Sequence, residues 1–181
     1  MKKMPKFKET EIGIIPEDWS VVELEKVADI IDCLHSKKPD KQESGYVYLE
    51  VFNLDSKTAS IKRDNLTYIS KKDYEFWIKR GKPEYGDLVI TNTGIVATAM
   101  IPHNFDCCIG RNMTLIKINK EKVHPEYLRF YSLSKLFKEE MKKLILSGTI
   151  LESLHVKFMG KLRMALPPYK EQELVVKNIK S

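Results

Sequence analysis

The sequence predicts an α+β domain built on a twisted, mostly antiparallel sheet or half-open barrel, with a long helix packed beside it. Between residues 46 and 118, short runs rich in β-branched and aromatic residues alternate with turn-like segments, which is typical of strands in tight succession. Residues 125–146 carry apolar side chains at helical spacing, which predicts one long helix. Pro125 suits the first turn of that helix, and Gly148 follows its expected end.

The remaining elements follow from local patterns. Residues 1–20 are predicted to form an extended arm held by Trp19, and residues 21–31 a short amphipathic helix. A polar, basic loop then ends at Gly45. Strands are expected in 46–54, 60–70, 86–101 (two strands turning at Thr91–Gly94), 113–118 and 162–167, with a short helix in 71–82.

The last residues begin another helical pattern and then stop. About ten helical residues are marginal in water on their own. We therefore expect the tail to be the start of a longer helix, or a helix that packs on a partner, projecting from the domain. This divides the chain into a domain at 1–168 and a truncated helix at 169–181, with Gln172, Val175 and Ile179 as partner-facing residues.

The composition limits the classes of protein to which the chain can belong. With 181 residues and 43% hydrophobic content, the chain can bury one core. The net charge of +6 suits a polyanionic partner, although many soluble proteins share it. No apolar run approaches the roughly 20 residues of a membrane span, and the start lacks a signal-peptide pattern. We therefore expect a cytoplasmic protein.

Motifs for catalysis and metal binding are missing from the sequence. It contains no Walker A, dinucleotide-binding, zinc-hydrolase or nucleophile-elbow pattern. The three cysteines form no Cys-x-x-Cys pair, which favours buried thiols over a metal site. Pro167-Pro168-Tyr169 approaches the Asn-Pro-Pro-Tyr motif of amino-methyltransferases, but Leu166 cannot accept a hydrogen bond from a flipped base. We expect no catalytic residue, no cofactor and no metal.

Three separated segments together carry a resemblance to one protein family. The segments are Glu9–Trp19 with its Ile-Pro-Glu-Asp-Trp, Gly86–Ile90 followed by Gly94, and Tyr127 through Ser147-Gly148-Thr149 to Leu166-Pro-Pro-Tyr-Lys-Glu-Gln172. Their order and spacing resemble one target-recognition domain of the specificity subunits of type I restriction-modification systems, and the resemblance spans essentially the whole chain.

The resemblance implies a non-catalytic function. Members of this family carry two recognition domains, each followed by a long helix, and each domain reads one half of a split DNA target. The implied partners are double-stranded DNA, methyltransferase subunits and, through them, a restriction subunit. A half-subunit that forms a homodimer would read a palindromic target.

Candidate DNA-binding residues lie in loops that combine cations with short polar side chains. Lysine and arginine hold phosphates, whereas forked or short polar groups read base edges. By this criterion the candidates are Lys37, Lys38, Lys41, Thr91, Asn92, Thr93, Arg111 and Asn112. The resemblance adds Ser147 and Thr149, because the equivalent loop of the family lies near DNA.

Each candidate also has an ordinary structural explanation. A salt bridge or a turn cap explains Arg111 and Asn112, a turn cap explains Asn92, and a helix C-cap explains Ser147-Gly148-Thr149. Two other functions stay open as well. One is a recognition domain detached from a fused adenine methyltransferase and nuclease, and the other is an adaptor that binds only protein.

Overall fold

A computed structural model describes residues 6–94, 96–145 and 154–181. The strands are β1 (Phe7–Thr10), β2 (Gly13–Pro16), β3 (Ser20–Glu23), β4 (Ala28–Asp32), β5 (Tyr46–Leu49), β6 (Leu54–Asp55), β7 (Ser60–Ile61), β8 (Thr67–Ile69), β9 (Leu88–Thr91), β10 (Thr98–Met100), β11 (Cys107–Ile109), β12 (Met113–Ile118) and β13 (Arg163–Leu166). The helices are α1 (Lys71–Trp77), α2 (Pro125–Ser132), α3 (Lys135–Lys142) and α4 (Tyr169–Lys180). Short 3-10 turns cover Leu24–Lys26, Val51–Asn53 and Val156–Lys161.

The centre of the fold is an antiparallel four-stranded sheet in the order β10-β9-β12-β4. Its side chains alternate between two buried faces, as the period of two along a strand requires. Leu88, Ile90 and Ile116 face the core shared with α2, α3 and α4, whereas Val89 and Leu115 face the opposite core. Because both faces are covered, the strands read as nearly continuous apolar runs.

A three-stranded sheet in the order β11-β5-β8 covers the second face. Its β11 and β5 run parallel, which is the exception among the strand pairs of the described residues. Its outer side packs against α1, where Tyr48 and Cys108 contact Tyr74 and Trp77 in a small third core. The layers therefore run helices, sheet, sheet, helix, and the predicted α+β class with a mostly antiparallel sheet is confirmed.

The helix predicted over residues 21–31 is wrong. The chain forms β3, one 3-10 turn at Leu24–Lys26, and β4. β3 pairs with β13, and β4 pairs with β12. Both segments therefore form backbone hydrogen bonds to a neighbouring strand, which a helix on the surface would not form. β-branched residues such as Val21, Val22 and Ile30 also prefer strands. Leu24, however, is buried as the helical pattern anticipated.

The single long helix predicted over residues 125–146 is also wrong, because α2 ends at Ser132 and α3 begins at Lys135. Ser134 adopts an extended backbone between them, and its hydroxyl accepts a hydrogen bond from the Phe137 amide at 3.2 Å. Serine is a preferred N-cap, so it starts a new helix at this point. The apolar residues Tyr127, Tyr131 and Phe137 still face the same core.

The C-terminal helix α4 packs along α2 instead of projecting from the domain as expected. Gln172 is 1% exposed, and its side-chain carbonyl accepts from the His124 amide at 2.7 Å. Its NH₂ group donates to the carbonyl oxygens of Lys122 and Pro167, both at 3.0 Å. Lys180, near the other end of α4, forms an ion pair with Glu126 at 3.0 Å.

These contacts correct the expectation that Gln172 faces a partner helix, because every polar atom of its side chain is engaged within its own domain. Val175 is half-buried against the core, and Ile179 is 53% exposed. Of the three residues assigned to a partner helix, Ile179 offers the largest free apolar surface.

The N-terminal segment forms a hairpin of β1 and β2. Trp19, predicted to hold this segment, donates its indole N–H to Glu171 at 2.9 Å and packs edge-on against Tyr127. It therefore connects the N-terminal segment to both α2 and α4. No helix in the part of the chain that the structure describes is long and apolar enough to cross a membrane.

Gln172→Ala is expected to lower the free energy of unfolding by about 2 kcal/mol or more, because it leaves one buried amide and two carbonyls without partners. Gln172→Glu should be at least as harmful, since a carboxylate would face two carbonyl oxygens. Urea unfolding followed by tryptophan fluorescence measures this. The matched control is Glu173→Ala, an exposed neighbour on the same helix, for which a change within about 0.5 kcal/mol is expected. Equal unfolding midpoints for Gln172→Ala and Glu173→Ala would contradict the anchoring role.

Candidate nucleic-acid interface

Three of the candidate loops meet at one end of the four-stranded sheet. β4 ends at Asp32, β9 ends at Thr91 and β12 begins at Met113, and the register places Thr114 opposite Asp32 and Met113 opposite Thr91. The pairing continues beyond the strands, because the Cys33 amide donates to the Met113 carbonyl at 3.2 Å. We call this the loop end of the sheet: loops 33–45, 92–97 and 110–112 all leave from it.

Asn92 joins the three strands at the loop end. Its backbone amide donates to the Asn112 carbonyl at 2.7 Å. Its side-chain oxygen accepts from the Thr114 hydroxyl at 2.8 Å, and its side-chain NH₂ lies 3.4 Å from a carboxylate oxygen of Asp32. Its carbonyl accepts from the Leu154 amide at 2.8 Å. Asn92 therefore links β9 to β12, β4 and the segment that begins at Leu154.

The structure corrects the prediction that Thr91 and Asn92 present side chains to DNA. Thr91 is fully buried and its hydroxyl accepts from the Ala97 amide at 2.9 Å, while Asn92 is 8% exposed. Thr91 closes the turn between β9 and β10, whereas Asn92 bonds to neighbouring strands instead of capping its own turn. Thr93, half-buried, and Gly94, exposed, form the outer part of the turn.

The loop predicted after α3 begins and ends beside the same end of the sheet. Ile145 and Leu154 pair with each other in an isolated bridge, and Leu154 bonds to Asn92. Ser147 and Thr149 lie outside the described residues, so their place in the interface stays a prediction.

The loop 110–112 holds Arg111 and Asn112 outward. The Gly110 amide donates to the Leu49 carbonyl at 2.9 Å, and a Cβ at position 110 would overlap that oxygen and the Tyr48 ring. Asn112 adopts a left-handed backbone at φ +60°, which asparagine tolerates better than most residues. Close packing and this turn therefore leave both side chains exposed at the surface.

The buried hydroxyl of Tyr48 forms a hydrogen bond with the loop 110–112. Burial raises the pKa of Tyr48 to about 12, so its hydroxyl stays protonated at neutral pH. That oxygen accepts a hydrogen bond from the Arg111 amide at 3.2 Å. The Arg111 guanidinium forms no ion pair with any residue that the structure describes, which excludes a salt bridge to those residues as the reason for the arginine.

The lysines of the loop 33–45 differ in their surroundings. Lys37 and Lys41 are exposed and form no ion pair within residues 6–94, 96–145 and 154–181. Lys38 instead pairs with Glu50, whose second carboxylate oxygen accepts from the Thr67 hydroxyl at 2.6 Å. Lys38 therefore fixes the loop to the three-stranded sheet, although about half of its side chain is exposed.

Arg80, just after α1, contributes to the loop end and was not among the predicted residues. Its guanidinium donates to the Cys33 carbonyl at 2.8 Å, where the loop 33–45 begins. No sequence pattern predicts this bond, because 47 residues separate its partners. The loops 33–45 and 110–112 together carry four basic residues, Lys37, Lys38, Lys41 and Arg111, against two acidic ones, Asp40 and Glu43.

Asp32, Cys33 and His35 are the residues closest to a metal-binding arrangement, since one ligand atom from each lies within 4.8 Å of the others. The His35 ring nitrogen and an Asp32 carboxylate oxygen already form a hydrogen bond with each other, at 2.9 Å. Burial raises the pKa of the Cys33 thiol, which disfavours the thiolate that a metal requires. The Arg80 guanidinium on the adjacent carbonyl adds positive charge. This group is better described as a hydrogen-bonded pair beside a protonated thiol.

Two of the relatives found by comparison with known proteins are of the same kind. The chain is 28% identical over 185 residues to a protein named as the specificity subunit of the type I restriction enzyme MjaX from Methanocaldococcus jannaschii, and 27% identical over 186 residues to the MjaVIII specificity subunit of the same organism. Each alignment covers 97% of this chain and 42% of the relative. The chain thus spans about two fifths of the length of these curated relatives.

A solved structure shares the fold. The HsdS subunit from Thermoanaerobacter tengcongensis superposes with a TM-score of 0.64 at 20% identity, covering 96% of this chain and 39% of that one. The pattern of the type I restriction modification DNA specificity domain matches residues 16–181, which is nearly the whole sequence. The chain therefore belongs to the type I restriction modification DNA specificity domain family.

Proposed function

We propose that this chain is a target-recognition domain that reads one half of a split DNA target through its loop end. The convergence of loops 33–45, 92–97 and 110–112 on one end of the sheet carries this proposal. Lys37 and Lys41 in the loop 33–45 and Arg111 in the loop 110–112 expose cations without an ion pair among the described residues. Lysines suit phosphates, and an arginine can bind the O6 and N7 atoms of guanine with both arms.

The proposed domain does no chemistry itself and acts in the cytoplasm. Methylation and cleavage would belong to partner subunits, a methyltransferase and, through it, a restriction subunit. The outer face of α4 is the proposed contact with a partner helix, from this or a second specificity chain. Leu174 is 58% exposed on that face. Ile179, 53% exposed near the end of the helix, lies seven residues after Gln172 and therefore on the same side as the residue that anchors α4 to its own domain.

One domain of this kind should bind weakly when alone. Few phosphate contacts fit on three short loops, and each base contact contributes only about 1–3 kcal/mol of discrimination. We therefore expect a Kd above about 10⁻⁸ M at physiological salt, the weak side of the range for specific complexes.

The charge-removal test uses double-stranded DNA containing the half-site that the chain selects from a randomised pool. Lys37→Ala and Lys41→Ala should each reduce the slope of log K against log salt by about 1, since each removes one phosphate contact. Arg111→Ala should weaken binding about 5- to 150-fold and relax selection at one base pair, as expected for a lost bidentate contact. Fluorescence anisotropy at several salt concentrations measures both effects.

Lys120→Ala is the matched control, because Lys120 is an exposed cation just beyond the opposite end of β12. It should leave affinity and salt slope nearly unchanged. If Lys120→Ala weakens binding as much as the loop variants do, binding follows net charge and not the loop end. Absence of any DNA selection by the unmodified chain would contradict the proposed function and favour a protein-only adaptor.

A second pair of variants separates structure from recognition at the loop end. Asn92→Ala should lower the free energy of unfolding by about 1–3 kcal/mol, because it removes a buried side chain that bonds to both β12 and β4. Asn112→Gly keeps a residue that tolerates the positive φ and should change stability by less than about 0.5 kcal/mol, yet weaken binding to the selected half-site. Thermal unfolding and anisotropy together test this. Full DNA affinity in Asn112→Gly would remove Asn112 from the interface.

A further inference from the structure

Phe52 lies at the loop end on a turn that sequence reasoning did not connect with DNA. β5 and β11 run parallel with Leu49 opposite Ile109, and the Gly110 amide donates to the Leu49 carbonyl at 2.9 Å. The 3-10 turn Val51–Asn53 and the turn that carries Arg111 therefore leave adjacent strands in the same direction. Phe52 and Arg111 thus belong to the same surface.

Several hydrogen bonds hold the backbone of the turn that carries Phe52. The Glu50 amide donates to the Asn53 side-chain oxygen at 2.9 Å, and the Asn53 amide donates back to the Glu50 carbonyl at 2.9 Å. The Asn53 carbonyl also accepts from the Lys62 amide at 2.8 Å. Asn53 is fully buried and Val51 packs on the core, so the turn can hold Phe52 outward without losing its own contacts.

The ring of Phe52 is 56% exposed although it sits on this ordered turn. Glu50, two residues before Phe52, forms an ion pair with Lys38, which brings a cation to the base of the turn. A phenyl ring gains nothing from a phosphate, and a contact with the backbone carries no sequence information. On a surface that faces DNA, such a ring gains most by meeting the apolar part of a base edge, and the C5-methyl group of thymine is that part in the major groove.

We propose that Phe52 is a specificity-determining residue that reads a thymine methyl group in the half-site. The inference rests on the proposed function and extends it, because it adds an apolar contact to an interface so far described by its cations. It leaves Lys37 and Lys41 to hold the phosphates and Arg111 to contact guanine, and it assigns Phe52 to discriminating thymine from the other bases at one further position.

Replacement of thymine by deoxyuridine tests this directly, because it removes only the C5-methyl group. Duplexes carrying the selected half-site, with each thymine replaced in turn, are titrated with the full chain and with its Phe52→Ala variant. For the unmodified chain, one replacement should weaken binding roughly 3- to 5-fold, as expected for one buried methyl group. Phe52→Ala should bind the thymine duplex less tightly by at least that factor and be insensitive to deoxyuridine at that position.

Phe7→Ala is the matched control, since Phe7 is 60% exposed on the N-terminal hairpin, and it should leave both values unchanged. An unchanged unfolding midpoint for Phe52→Ala shows that the turn survives. The inference is overturned if no deoxyuridine replacement weakens binding, or if Phe52→Ala keeps the same sensitivity. Those results leave the proposed function intact when Arg111→Ala still loses affinity. A chain that selects no DNA at all overturns both.

Discussion

The central strand β12 is hydrogen-bonded on both sides, to β9 and to β4, and the position of the candidate interface follows from that pairing. Its register brings the ends of β4 and β9 to its own first two residues, and Asn92, directly after β9, bonds to β12 and β4 there. Because both faces of this sheet are buried, a shift of one residue would exchange the two cores. The same constraint that specifies the fold therefore specifies where the loops meet.

A rigid frame with variable loops suits a recognition domain. The side chains that hold the frame, such as Asn92 and Tyr48 at the loop end and Gln172 on α4, are buried and bonded, whereas Lys37 and Arg111 are exposed. Exposed loop residues can change without cost to the core, so one fold can serve many targets. The energetic roles are separate as well. Loss of a buried, hydrogen-bonded side chain is expected to lower the free energy of unfolding, and loss of an exposed cation is expected to lower the affinity for DNA.

Local sequence patterns predicted most of the helices and strands whose pattern is compatible with only one type of secondary structure. Alternating and β-branched runs predicted β9, β10 and β12, and proline with helical spacing predicted the start of α2. Residues 21–31 fit a helix equally well in isolation, and only pairing with β12 and β13 decides for strands. Ser134 is a good N-cap, but a helix interior also tolerates serine, so the sequence alone does not predict the break between α2 and α3.

The candidate interface could be predicted only in part. Loop composition identified Lys37, Lys41, Arg111 and Asn112, all of which the structure leaves exposed. Convergence of the loops depends on the register of β12 with β9 and with β4, whose paired residues are 22–28 and 82–90 positions apart in the sequence, and local patterns do not contain this register. For the same reason the inward role of Asn92 and the exposed position of Phe52 emerge only from the three-dimensional arrangement.

A methylation map of the source genome tests the central claim most directly. Genomes are compared with the gene intact, deleted, and carrying a different family member's recognition domain in place of residues 1–181. The account predicts that deletion abolishes adenine methylation at one split motif, and that the exchange alters one half of that motif while the other half persists. An unchanged map in both strains would contradict a role for this chain in selecting DNA.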